Sequence, residues 1–122
     1  MKKMLILFFS LSVFSSCRSQ EKEIVKRVNV VTFTKGIALK NTQLVDVRTQ
    51  EEFEQGHIKG AKLINFYSKN FKEELQQLDK TIPVYLYCRS GVRSRKASKL
   101  LKKLGFQEIY DLKGGYVAYK NK

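Results

Sequence analysis

Val84-Tyr85-Leu86-Tyr87 is an unbroken run of apolar β-formers, opened by Pro83 and followed at once by Cys88-Arg89-Ser90-Gly91-Val92-Arg93-Ser94. Past that loop, Ala97, Leu100, Leu101 and Leu104 share one face of a helix predicted over residues 94–104, with Gly105 as its C-cap. A buried strand that turns through a glycine-containing loop straight into a helix is the repeating unit of an α/β layered fold. It also aims successive backbone N–H groups, and the positive end of the helix dipole, at one point. The residue at that point is Cys88, flanked by Arg89 and Arg93. A thiol held there is expected to ionise well below the ordinary cysteine value of about 8.5, and the thiolate is the reactive species. The loop therefore reads as a nucleophile that handles anionic substrates. Cys88 is the nucleophile, and residues Arg89, Ser90, Gly91, Val92, Arg93 and Ser94 form the binding cradle.

The rest of the chain repeats the unit. Alternation predicts a first strand over residues 28–33 and a short helix over residues 34–40. Gln43-Leu44-Val45-Asp46-Val47 reads as a second, buried strand. Thr49 then caps a helix whose first turn holds Glu51 and Glu52, and Gly56 ends it. Residues 61–65 make a third strand candidate. Residues 70–78 place Phe71, Leu75 and Leu78 at helical spacing, with Asn70 as cap. Residues 106–112 read as the last strand, and Gly114-Gly115-Tyr116 opens a terminal helix. Strands alternating with helices imply a mainly parallel central sheet flanked by helices. Ligands of such sheets bind beyond the carboxyl ends of the strands, where both Cys88 and Asp46-Val47-Arg48 fall.

The first 27 residues stand apart. Lys2 and Lys3 precede an apolar stretch over residues 5–14, too short for a stable membrane span, and Ser15-Ser16-Cys17 follows as a cleavage site. Residues 1–16 read as a signal peptide, and Phe14-Ser15-Ser16-Cys17 resembles a bacterial lipobox, which makes Cys17 the lipidated N-terminus of the mature chain. Residues 17–27 then form a polar tether, and residues 28–120 the single domain. The protein is expected to be exported and held by lipid on the periplasmic side of a bacterial envelope. With Cys17 acylated, Cys88 is an unpaired exported thiol, a residue whose chemistry is used. The chain carries 24 Lys and Arg against 11 Asp and Glu, and removing residues 1–16 takes away two lysines and no acids. Most of these cations are scattered over a solvated surface. Small anions and the membrane are the expected partners, and nucleic acid is not.

Three motifs in order resemble a single-domain rhodanese. Asp46-Val47-Arg48-Thr49-Gln50-Glu51-Glu52-Phe53-Glu54-Gln55-Gly56-His57-Ile58-Lys59-Gly60-Ala61 resembles the D-V-R-x-x-x-E-F-x-x-G-H-I-x-G-A signature. Cys88 to Arg93 fits the C-R-x-G-x-R active loop, which in this family goes with thiosulfate as donor, and Leu112-Lys113-Gly114-Gly115-Tyr116 resembles the L-x-G-G-[WY] ending. The resemblance implies a rhodanese-like fold and a two-step sulfur transfer through a Cys88 persulfide to a thiophilic acceptor such as cyanide or a thiol. It requires no metal and no organic cofactor. Asp46 and Arg48 are expected to brace the loop, and His57 to sit in a structural turn. Arg93 is the preferred substrate contact, Arg89 faces solvent, and Ser94 either caps the helix or donates to the persulfide. Two readings compete: a regulatory or persulfide-carrying module without thiosulfate turnover, and a Cys-dependent phosphatase or arsenate reductase. The latter needs five residues between its Cys and Arg, whereas this loop has four.

Overall fold

The structure is a computed structural model that describes residues 3–4, 10–14 and 21–122. Cys17 and most of the proposed signal peptide lie outside the described residues. Strands and helices alternate as β1 (Val25–Val28), α1 (Val30–Ile37), β2 (Gln43–Asp46), α2 (Gln50–Glu54), β3 (Lys62–Leu63), α3 (Phe71–Gln76), β4 (Val84–Tyr87), α4 (Val92–Lys103), β5 (Ile109–Leu112) and α5 (Gly115–Lys120). The strands form one parallel sheet in the order β1-β5-β4-β2-β3. A parallel sheet needs helical crossovers, and these cover both of its faces.

Central strand β4 shows how that covering works. Its side chains alternate between two cores, as the two-residue period of a strand requires. Val84 and Leu86 pack with Phe71 and Leu75 of α3 and with Ala97 and Leu101 of α4. Tyr85 and Tyr87 point the other way, against Phe33 of α1 and Tyr116 and Tyr119 of α5. All four strand residues are buried, which is why their sequence shows no apolar–polar alternation. Cys88 continues the Val84–Leu86 side and belongs to the α4 core.

The amino-terminal part of the domain departs from expectation. The first strand is Val25–Val28, not residues 28–33, and it pairs residue by residue with β5 from Val25↔Ile109 to Val28↔Leu112. The polar tether expected to reach residue 27 therefore gives its last three residues to the sheet. Val30 to Phe33 are helical because Asn29 Oδ1 accepts from Thr32 N–H at 2.9 Å, an N-cap that overrides the strand preference of two valines and a threonine. Phe33 and Gly36, one helical turn apart, are the buried face of α1. Elsewhere the differences are at element ends. The strand expected over residues 61–65 is only Lys62–Leu63, since its pairing with β2 lasts two residues. Asn70 precedes α3 without a side-chain cap bond. The last strand starts at Ile109 rather than residue 106, and α4 begins two residues earlier than Ser94. Among the described residues no helix is long and apolar enough to cross a membrane.

Candidate active site

Strands β2, β4 and β5 point the same way, so Asp46, Cys88 and the residues after Leu112 meet at one edge of the sheet. Cys88 follows β4 directly as a free thiol, 1% exposed. The chain then turns back on itself at Gly91, whose φ of 106° is open to glycine and strained for any side chain. That turn directs Gly91 N–H onto Cys88 Sγ at 3.1 Å. Immediately beyond it α4 begins, with its first N–H groups lacking helical partners. An aimed amide and a twelve-residue helix N-terminus both favour negative charge at the sulfur. Cys88 Sγ also lies 3.5 Å from Ser94 Oγ. Ser94 is fully buried inside the first turn of α4, so of its two expected roles the cap is excluded: the N-cap is Gly91.

The loop is held from below by α5. Tyr116 N–H donates to the Cys88 carbonyl at 2.8 Å, and Val117 N–H to the Arg89 carbonyl at 3.1 Å. So close an approach requires Gly115: a Cβ there would sit 2.5 Å from Arg89 O and 2.6 Å from Cys88 O, at a φ of 61°. Asp46 and Arg48 form a buried pair beside it. Arg48 Nη2 lies 2.7 Å from Asp46 Oδ2 and also donates to the Gly56 carbonyl at 2.7 Å, and the guanidinium stacks 4.3 Å from the Tyr116 ring centroid. The two residues thus tie β2, the turn after α2 and α5 together. His57 is exposed, with its ring on Phe53 at 3.6 Å and Nδ1 2.9 Å from the Phe53 carbonyl.

The arginines do not all face the loop. Arg93 makes a bidentate ion pair with Glu52 of α2, Nη1 to Oε1 at 2.8 Å and Nη2 to Oε2 at 2.9 Å. The Arg93 hydrogen bond is the main reason the Glu52 carboxyl is pulled from 4.5 down to about 2. The free positive charge expected of Arg93 is thus matched. Glu52 also closes the capping box of α2 by accepting from Thr49 N–H at 3.3 Å, so the acid that starts that helix also clamps the loop. Arg89 and Ser90 are exposed and Val92 is 63% exposed, forming the rim. An open cleft of about 430 Å³ adjoins the rim, lined among others by Arg89, Glu52, Tyr116 and Lys120. Arg27, read from sequence as tether, reaches the loop from β1: a Cβ on Gly91 would collide with its Nη2. Glu52 carries a sequence signal in Thr49-x-x-Glu52, but only as a helix cap; Arg27 carries none. Among the described residues, no three His, Cys, Asp or Glu side chains gather where they could hold a metal ion.

The sequence profile of the rhodanese-like domain matches residues 30–122. The chain is 39% identical over 102 residues to the Bacillus subtilis (strain 168) protein YqhL, covering 84% of this chain and 78% of that one. It is 32% identical over 94 residues to thiosulfate sulfurtransferase GlpE of Shewanella oneidensis, covering 77% and 91%. A solved rhodanese-like domain protein from Staphylococcus aureus superposes with a TM-score of 0.67 at 33% identity, covering 77% of this chain and 90% of that one.

Proposed function

The chain belongs to the rhodanese-like domain family, and on that premise we propose that it is a sulfurtransferase carrying sulfane sulfur on Cys88. The observation that carries this reading is the Gly91 N–H on Cys88 Sγ at the mouth of α4. Cys88 thiolate attacks the outer sulfur of thiosulfate; a new S–S bond forms, the old one breaks, and sulfite leaves with its electron pair. The outer sulfur of the resulting persulfide is anionic, and the loop amides and helix terminus stabilise it as an oxyanion hole stabilises oxygen. Cyanide or a thiolate then attacks that outer sulfur and returns Cys88 as thiolate. Four residues between Cys88 and Arg93 frame a single sulfur rather than a tetrahedral oxyanion, which disfavours phosphatase or arsenate reductase chemistry.

Thiosulfate as the donor is supported by the name of the Shewanella relative and by exposed Arg89 at the rim. A second reading rests on the Arg93–Glu52 pair: with that charge matched, a less highly charged donor such as a protein persulfide is served equally well. Intact mass spectrometry after incubation with thiosulfate, and separately with 3-mercaptopyruvate, shows which donor loads Cys88, since a persulfide adds about 32 Da, the mass of one sulfur atom. Cys88→Ser should retain less than about a hundredth of the thiosulfate-to-cyanide activity, since serine does not ionise near neutral pH. Higher residual activity refutes Cys88 as the carrier.

A further inference from the structure

The cations expected to scatter over the surface gather along α4. Five of its twelve residues, Arg95, Lys96, Lys99, Lys102 and Lys103, are exposed cations, and the helix holds no Asp or Glu. At 3.6 residues per turn these five fall within an arc of about 120°, opposite the buried Ser94, Ala97, Ser98 and Leu101. Val92, 63% exposed, lies on the same arc at the end nearest the Cys88 loop. Among the described residues none of the five is in an ion pair. Lys99 has Arg95 and Lys103 four residues away and Lys96 and Lys102 three away, spacings at which like charges repel. Only Lys102 and Lys103, in the last turn, suit the helix dipole; Arg95, in the first, opposes it. The stripe therefore weakens the helix that carries it.

The Cys88 loop does not account for it. Lys103 lies about 16 Å along the helix axis from Val92, whereas exposed charges are screened beyond about 8 Å at physiological salt. The far half of the stripe thus adds little at the thiol. That far end instead flanks the point where the chain enters the sheet: Lys102 lines one hollow with Glu21, Lys22, Glu23, Ile24 and Val25. The two acids of that hollow are equalled by its two lysines, which leaves the rest of the stripe unopposed. Seven residues, 18–24, lie between Cys17 and β1, a reach of no more than about 30 Å at full extension. Lipid on Cys17, as its lipobox-like setting implies, would hold this end of α4 beside the headgroups.

We propose that the outer face of α4 docks on anionic lipid headgroups, laying the helix along the bilayer surface. The five cations supply the attraction and Val92 an apolar contact at the loop end. The tether supplies proximity, which turns a weak attraction into a lasting contact. Docked in this way, the Cys88 loop opens beside the bilayer, because α4 runs from that loop to the chain entry. The inference goes beyond sulfur transfer and does not depend on it.

The test mixes the full chain with vesicles of phosphatidylcholine, alone or with an equal amount of phosphatidylglycerol. Labelling of single lysines by an amine-reactive ester is read by peptide mass spectrometry. On the mixed vesicles Lys96, Lys99 and Lys103 should label about fivefold more slowly. Exposed Lys35 of α1, which covers the other face of the sheet, should keep its rate. In the Cys17→Ser chain, which has no lipid to mask the contact, Arg95→Gln, Lys99→Gln and Lys103→Gln are combined. They should lower the preference for mixed over neutral vesicles about a hundredfold, at roughly fivefold per cation. The melting temperature should stay at or above that of the parent chain, because repulsion along α4 is relieved. Slowing that is equal on neutral vesicles or at Lys35, or a preference the three substitutions leave unchanged, overturns the proposal. So does polyglutamate that slows the same lysines as strongly as the mixed vesicles at equal charge, since the stripe then fits an acidic polypeptide. If intact mass shows no lipid on Cys17 while the mixed vesicles still slow the stripe, the anchor falls and the docking face stands.

Discussion

Arg93 sits in the active loop yet spends its charge on Glu52, and a pair of variants separates its two possible roles. Glu52→Gln keeps the shape of the side chain and one acceptor for Arg93, but removes the charge and half of the bidentate contact. Hydrogen bonds to charged groups contribute about 1.5–3 kcal/mol when buried and exposed pairs about 0.2–1 kcal/mol. With 16% of the Arg93 side chain and 27% of that of Glu52 in solvent, the loss belongs between these limits. A cost of about 1 kcal/mol follows, which lowers the melting temperature of a domain this size by about 4–8 °C. The pH dependence has a definite sign. Glu52 is pulled down to about 2 in the folded protein, so its stabilisation is fully present above 4.5 and is lost as pH falls towards about 2. The gap between wild type and Glu52→Gln in a series of thermal melts should therefore be constant from pH 7 to 5 and close below that.

The kinetics decide the mechanism. Arg93→Ala leaves the Glu52 carboxylate unmatched beside the loop, so the KM for thiosulfate should rise severalfold. If Arg93 acts only through its pair, adding Glu52→Gln to Arg93→Ala removes the stray negative charge and returns KM to within about twofold of wild type, a non-additivity expected of contacting residues. A double variant as impaired as Arg93→Ala alone would show Arg93 touching the donor and refute the reasoning.

Gly115→Ala should cost about 2–3 kcal/mol in urea unfolding, from a Cβ placed 2.5 Å from Arg89 O at a positive φ, and should depress sulfur transfer further by displacing the loop carbonyls that α5 holds; an unchanged midpoint would mean that α5 yields freely. Cys17→Ala should move the protein into the aqueous phase of a detergent extraction if lipid on Cys17 anchors it, since several acyl chains on one residue hold stably. Wild-type protein already found in that aqueous phase would rule the anchor out.

The parts of this fold legible in the sequence are those whose signal is local and strong. Val84–Tyr87 is a strand at its expected bounds because it is buried on both faces and bracketed by Pro83 and the loop. Thr49 caps α2 as expected, since the cap and its Glu52 partner lie one turn apart. Residues 25–33 misled for two physical reasons. An edge strand exposes part of its length, so Arg27 in β1 looks like tether, and the β-branched residues Val30, Val31 and Thr32 lose their strand preference to a single Asn29 cap.

The site shows the same division more sharply. Cys88, Gly91 and the start of α4 are neighbours in sequence, and the cradle they form could be drawn from the sequence alone. What each charge does there could not. Arg48 and Arg93 look alike as cations near strand ends, yet one is neutralised by Asp46 two residues away and the other by Glu52 across 41 residues. Glu52 looks like a surface acid of a short helix and clamps the loop, while Asp111 looks like a strand end and lies buried. The surroundings of Cys88 are therefore partly a property of the sheet order, which brings β1, β5 and β4 side by side and sets Arg27 of β1 against the Gly91 turn. Counting the arginines of the loop overstates the charge an incoming donor meets. Among the described residues only Arg48 and Arg93 are in ion pairs, so Arg89 at the rim and Arg27 behind Gly91 reach the loop with their charge unmatched. Donor selectivity should follow those two residues rather than the arginine that closes the motif.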